Sequence, residues 1–283
     1  MNPAERPVLV TGCSSGIGLA AARGLRERGY PVFASARRPA DVARLRAEGF
    51  DAVPLDLDDD ASIAAAVAAV LERTGGRLYG LFNNGAYGQP GAVEDLRREV
   101  LRAQLETAVL GWHELTRRVI PVMRAQGEGR IIQNSSVLGL VAFAYRGAYV
   151  AAKFALEGLT DTLRLELHGT GIQVSLIEPG PILSRFRENA HRKFVENIDA
   201  DRSPHREHYR GMEARLTKEG PAQPFTLPPE AVVRRVVHAL EARRARPRYY
   251  VTTPTYLFAV LRRVLPTPIL DAALRAASGG GRR

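Results

Sequence analysis

Val8-Leu9-Val10-Thr11-Gly12-Cys13-Ser14-Ser15-Gly16-Ile17-Gly18 reads as a short apolar strand, a glycine-rich turn and the start of a helix that runs from Ile17 to Arg28. Three glycines let a backbone come close to a pyrophosphate, and the helix N-terminus directs the positive end of its dipole at the same place. A glycine triplet also serves ordinary tight turns, so the rest of the chain has to decide between the two readings.

Outward from this turn, apolar runs recur at Pro31 to Ala36, Ala52 to Leu55, Leu78 to Asn83, Arg130 to Ser135, Gln173 to Ile177 and Arg248 to Val251. Helical stretches such as Ser62 to Arg73 separate them. This alternation predicts an α/β fold: a doubly wound parallel sheet (Rossmann fold) of about seven strands with helices on both faces, binding ligands at the carboxyl ends of its strands. With 283 residues, 45% of them hydrophobic, we expect one domain spanning 1–283. Between Pro181 and Pro228 the alternation stops in a stretch rich in His, Arg, Glu and Pro, which reads as a substrate-side insertion or lid. Residues 255–283 read as a basic amphipathic extension, with a fraying Gly279 to Arg283 end.

Met1 to Pro7 is short and polar and does not resemble a signal peptide, so a cytoplasmic location is expected. The single cysteine, Cys13, excludes an internal disulfide and a cysteine-based zinc cluster, and is expected in a loop. Of the formal +10 charge, most lies between Ala231 and Arg283, where eleven arginines face two acids. No helix-turn-helix, finger or aromatic RNA motif accompanies them, so nucleic acid is not the expected partner. The tail from Thr255 to Ala277 is too interrupted by Pro266 and Pro268 to span a bilayer. It reads as a pair of helices closing a substrate cleft, with a peripheral membrane contact as the alternative. No metal site is expected: His205 and His208 have a metal-like separation but no completing ligands, and read as surface histidines. Trp112 and His113 read as packing residues, and Tyr145 as either packing or pocket lining.

At the end of the second strand, a carboxylate would hold an adenosine 2′-hydroxyl and repel a 2′-phosphate. The chain has Ser35-Ala36-Arg37-Arg38 there, which favours the phosphate and hence NADP(H), with Ser14 adding a hydroxyl; the bland alternative is a pair of solvated loop charges. Tyr149-Val150-Ala151-Ala152-Lys153 places a phenol and an ammonium one helical turn apart. The cation is expected to lower the phenol's pKa, making Tyr149 a general acid or base with Lys153 as its partner.

The glycine spacing, the Tyr149/Lys153 pair, Ser136 ahead of it and the Glu178-Pro179-Gly180-Pro181-Ile182 loop together resemble the short-chain dehydrogenases/reductases over residues 7 to 185. Members acting on retinoids, hydroxysteroids or long-chain aldehydes, including bacterial NADP-dependent aldehyde reductases, are the most similar. The resemblance implies an NADP-dependent oxidoreductase in which Ser136 holds the oxygen of a hydrophobic carbonyl or alcohol substrate. It implies cofactor contacts for Gly12, Ser14, Ser15, Gly16, Ile17 and Gly18; for Asp56 and Leu57; and for Asn83 and Gly85 in Asn83-Asn84-Gly85-Ala86. It implies the same for Tyr149 and Lys153, and for Pro179, Gly180, Ile182 and Ser184. A homodimer or homotetramer is also implied. A structural role for the asparagines stays open. One departure stands out: Ala108 occupies the position where the family carries an asparagine holding a relay water. Either the proton relay is slowed, or Thr107 or a shifted backbone substitutes, or the chain is a catalytically impaired NADP(H)-binding sensor or scaffold.

Overall fold

The computed structural model describes residues 2–221 and 223–278. Seven parallel strands form one sheet: β1 (Val8–Val10), β2 (Val32–Ala36), β3 (Asp51–Pro54), β4 (Gly80–Asn83), β5 (Gly129–Asn134), β6 (Ile172–Glu178) and β7 (Arg248–Tyr250), in the order β3-β2-β1-β4-β5-β6-β7. Val8 registers with Val32 on one side and with Gly80 on the other. The order therefore reverses at β1, and the crevice between the ends of β1 and β4 is where this topology receives a ligand.

Alternation along the strands sorts the core into two layers. Val8 and Val10 pack against α1 (Gly16–Glu27), α2 (Pro39–Ala47) and α9 (Glu230–Glu241) through Ala21, Leu25, Leu45 and Val236. Leu9 faces the opposite way, onto α3 (Asp60–Arg73), α5 (Gly111–Gln126) and α6 (Gly147–Glu166) through Ile63, Trp112, Leu115 and Leu156. Before α5 runs α4 (Arg98–Leu105), joined to it by a π-helical segment, Glu106–Leu110.

Residues 181–228 fold into α7 (Phe186–Asn197) and α8 (Arg206–Thr217) and return to where they left: Leu183 N donates to Leu227 O and Leu227 N to Pro181 O. The two helices build a small core of their own from Phe194, Tyr209 and Met212 against Ala92 and Ile198. Tyr145, in the left-handed region at φ +61, stacks on His208 and meets His205 edge-on, and His205 Nε2 lies 2.5 Å from Glu94 Oε1. His205 is therefore half-buried at this seam, whereas the sequence placed it on the surface. The chain ends in α10 (Thr253–Val264) and α11 (Thr267–Ser278), whose Phe258 and Leu274 pack on Val137 and Val141. The expected frayed end, Gly279 to Arg283, lies outside the described residues.

Candidate active site

The turn after β1 can approach its neighbours only because it is glycine. Gly12 has φ +70, and a Cβ there would stand 2.5 Å from Gly85 Cα; Gly16 has φ +57, and its Cβ would stand 2.9 Å from Ser184 Cβ. The loops after β1, β4 and β6 thus meet at one point, with Leu57 Cδ1 against Gly85. Thr11 Oγ1 fixes the crossing by accepting from the backbone N–H of Asn84 and of Gly85, each at 2.8 Å. Asn84 donates to Thr11 O and accepts from Asn134 Nδ2. Asn83 belongs elsewhere: its buried amide donates to Thr116 on α5 at 3.0 Å, because successive strand residues face opposite sides of the sheet. Its side chain therefore ties β4 to α5, the structural role that the sequence left open. Cys13 is in the turn but fully buried, its thiol donating to Val10 O, and burial pushes its pKa up to about 12.

Around the end of β2 the charges are mostly cationic. Arg37 and Arg38 are both well exposed, Arg37 lying 3.9 Å from Asp58 and Arg38 2.7 Å from Asp41. Arg44, which sequence reasoning passed over, donates to Ser14 O at 2.6 Å and so ties α2 to the glycine turn. Ser15 precedes α1 with its hydroxyl making no capping bond. Asp56 is held in a short turn, its backbone N–H donating to Ser62 Oγ and its carboxylate accepting from Asp58 N.

Ser136 directly follows Ser135 at the end of β5. Its Oγ accepts from Leu138 N at 3.1 Å and donates to Pro179 O at 3.5 Å, and it stands near enough to the Tyr149 phenol to favour the phenolate. Pro179 O accepts from Val137 N, so the loop after β6, which continues through Gly180 and Ile182 to Ser184, is tied to the serine loop. Tyr149 and Lys153 share a face of α6, and Lys153 Nζ donates to Asn134 O at 2.7 Å. Nζ also lies 4.3 Å from the Trp112 ring centre and 5.5 Å from that of Tyr149. Phe186, at the start of α7, meets the Tyr149 ring edge-on at 5.4 Å.

The electrostatics reverse one expectation. Burial pushes the Tyr149 phenol up to about 12, opposed by the neighbouring Ser136, and drives Lys153 down to about 7, opposed by Glu157. A desolvated ammonium loses much of its own charge near neutrality, so it does not lower the phenol as the helical spacing suggested. Thr107 does not replace the missing relay asparagine either: its hydroxyl donates to Asp58 at 2.5 Å. Ala108 is fully buried in the π-helical segment.

Trp112, Asn134 and Phe186 are site residues that sequence reasoning missed. A signal existed only for Trp112, which lies one turn beyond Ala108 and donates from Nε1 to Gly85 O at 2.8 Å. Phe186 sits in a stretch without periodicity, and Asn134 acts through its backbone, which a sequence pattern does not mark.

The short chain dehydrogenase family model matches residues 6–194. The chain belongs to the short-chain dehydrogenase/reductase family. It is 42% identical over 271 residues, 96% of this chain and 94% of the relative, to the uncharacterised oxidoreductase YbbO of Escherichia coli K12. To human retinol dehydrogenase 8 it is 34% identical over 196 residues, 66% of this chain and 62% of that one. A short-chain dehydrogenase from Streptomyces avermitilis superposes with a TM-score of 0.76 at 27% identity, over 100% of both chains. A variant actinorhodin polyketide ketoreductase solved with NADPH gives 0.70 at 29% identity, over 87% of this chain and 95% of that one. The present short-chain dehydrogenase/reductase is thus an oxidoreductase whose fold is shared with nucleotide-cofactor enzymes.

Proposed function

We propose that the chain is an NADP(H)-dependent oxidoreductase interconverting a carbonyl and an alcohol on a hydrophobic substrate. The observation that carries this reading is the buried Tyr149, with the Ser136 hydroxyl beside its phenol, one turn from a buried Lys153 at the strand ends where the glycine turn lies. That turn suits a dinucleotide: a side chain at Gly12 or Gly16 would fill the cradle, and the uncapped start of α1 favours an anion. Residues Gly12 to Gly18, Asp56, Leu57, Gly85 and the Pro179–Ser184 loop would line the cofactor, with Arg37 and Arg38 on the 2′-phosphate. The cofactor, when bound, supplies the hydride.

The chain's own residues handle the oxygen. Ser136 donates a hydrogen bond to the carbonyl oxygen and stabilises its developing charge. Tyr149, protonated at neutral pH, then gives up its proton to that oxygen. Lys153 holds the ribose and faces the phenol. The Phe186 ring covers one side of the phenol and favours an apolar substrate, in keeping with the similarity to a protein named retinol dehydrogenase 8. We read residues 181–228 as the lid of a single domain. Exposed Leu257, Val260 and Val264 beside Arg262 and Arg263 on α10 suit a reversible contact with an anionic membrane surface, which liposome co-sedimentation would detect. Among the described residues no helix is long and apolar enough to cross a membrane.

Following NADPH and NADH oxidation with aldehydes, retinal and ketosteroids tests the reading. Turnover with NADPH that collapses in Tyr149→Phe supports it. Ala108 favours the second reading, an NADP(H)-binding sensor, which cofactor binding without turnover on any substrate would support.

A further inference from the structure

Two cations meet where the lid rests on the start of α6, and the fold leaves both without a counter-charge. Arg146 is the N-cap residue of α6, one turn ahead of Tyr149, and its Nη1 donates to Tyr145 O and to Met212 Sδ on α8, each at 3.1 Å. Arg215 follows Met212 by three residues and so shares its face of α8. Arg187, next to Phe186 at the start of α7, donates to Arg215 O at 3.1 Å and to Lys218 O at 2.8 Å. This end of α8 is thereby held beside the residue whose ring covers the phenol.

Both side chains are half-buried, and among the described residues neither guanidinium forms an ion pair. The acids of this seam are engaged elsewhere: Glu94 with His205, Asp95 with Ser203 and Tyr209, and Glu213 with His191. The position works against Arg146 in three ways. Burial and repulsion from Arg215 bring its pKa down to about 9, and it stands at the positive end of the α6 dipole. Burial lowers Arg215 as well. An apolar side chain would be more stable at position 146, so the charge has a use beyond the fold.

We propose that Arg146 and Arg215 form the subsite for an anionic group at the far end of the substrate, so that the carbonyl compound is an apolar chain ending in a carboxylate or a phosphate. This rests on the oxidoreductase reading and names the substrate class for it. An anion between the two guanidiniums takes charge-assisted hydrogen bonds from both and removes their mutual repulsion. The start of α6 favours the same charge. Arg146 and Tyr149 are separated by a rise of about 4.5 Å along the helix, which with the reach of their side chains sets the anion a short chain away from the carbonyl. Phe186 at the phenol and Met212 at the guanidinium supply apolar surface at the two ends of that chain.

The experiment measures steady-state kcat and KM with NADPH for straight-chain aldehydes of matched length ending in a methyl, a carboxylate or a phosphate, over a series of chain lengths. The proteins are wild type, Arg146→Met, Arg215→Met and Arg215→Lys, and urea unfolding of each is followed alongside. Wild type should favour an anionic aldehyde over its methyl counterpart by about tenfold or more in kcat/KM at one chain length, mostly through KM. The anion with the larger preference identifies the head group. Each Met variant should bring that preference to within about twofold, and Arg215→Lys, which keeps the charge without the planar fork, should retain part of it. Arg146→Met should unfold at a higher urea concentration than wild type, because it removes a desolvated, unpaired charge. Aldehydes turned over without regard to their end group, or a preference that survives both Met variants, would overturn the subsite while wild-type turnover left the oxidoreductase reading intact. Absence of wild-type turnover on every aldehyde would remove that reading and the subsite with it.

Discussion

Phe186 stands edge-on to Tyr149, with ring centres 5.4 Å apart and planes at 65°, and its ring tip rests where a side chain on Gly88 would have to go. The residue that opens α7 is therefore the cover of the acid. Replacing it with alanine should uncover the phenol and remove apolar surface from the substrate's side. We expect Phe186→Ala to lose roughly tenfold or more in kcat/KM for a long-chain aldehyde while a short aldehyde loses much less, because apolar burial scales with substrate size. Equal losses on both would mean that the ring supports the fold and does not meet substrate.

The high phenol pKa separates the two directions of reaction. Reduction uses the protonated form, which dominates below about 12, so kcat for reduction should show no limb from Tyr149 through neutral pH. Oxidation needs the phenolate, and its rate should rise about tenfold per pH unit until the phenol has titrated. Initial rates for both directions across the alkaline range check this, and an oxidation rate already level near neutrality would show that the bound cofactor brings the phenol down.

On the proposed reading, selection of the phosphorylated cofactor rests on the two exposed guanidiniums of Arg37 and Arg38. Arg37→Ala with Arg38→Ala should weaken NADPH binding by about tenfold to a hundredfold and leave NADH within about twofold, since a charge-assisted bond is lost only where the 2′-phosphate exists. Isothermal titration with each cofactor measures the contrast; parallel losses would point to Arg44 and the turn it braces.

Arg248 is the cation around which Glu157, Glu178 and Asp161 gather. Arg248→Met would leave buried carboxylates without a counter-charge and should cost about 3–5 kcal/mol of stability in urea unfolding. Glu178 has its folded pKa raised above the ordinary carboxylate value, so what it contributes is greatest at low pH and is lost as pH rises through that raised value. The deficit of Arg248→Met should accordingly be smaller near about pH 5 than near about pH 8. A deficit independent of pH would assign the loss to packing of the arginine stem.

The strands were legible because each is a short apolar run ending in a turn: all seven expected runs overlap β1 to β7, with ends displaced by one or two residues. Between Pro181 and Pro228 no period was visible, because α7 and α8 bury only a few side chains each and expose charged residues on most of their surface. Motif spacing and the family resemblance singled out Gly12, Ser136, Tyr149 and Lys153, and the structure sets all four at the carboxyl ends of the strands. The direction of the pKa shifts could not, since it depends on how completely α6 is covered, and that covering comes from Phe186 and Trp112, which are remote in sequence. For Asn83 the motif left a ligand contact and a structural role both open, and only the structure shows that strand alternation gives its side chain to Thr116.

Phe258 and Leu274 lie against Val137 and Val141, immediately after the serine that would hold the substrate oxygen. A chain emerging from the ribosome shows its glycine turn first, and domains generally fold as their N-terminal parts appear. The support for the serine loop arrives some hundred residues later, after β7 has joined the sheet edge. During synthesis, then, the glycine turn has left the ribosome long before the last support of the serine loop is made.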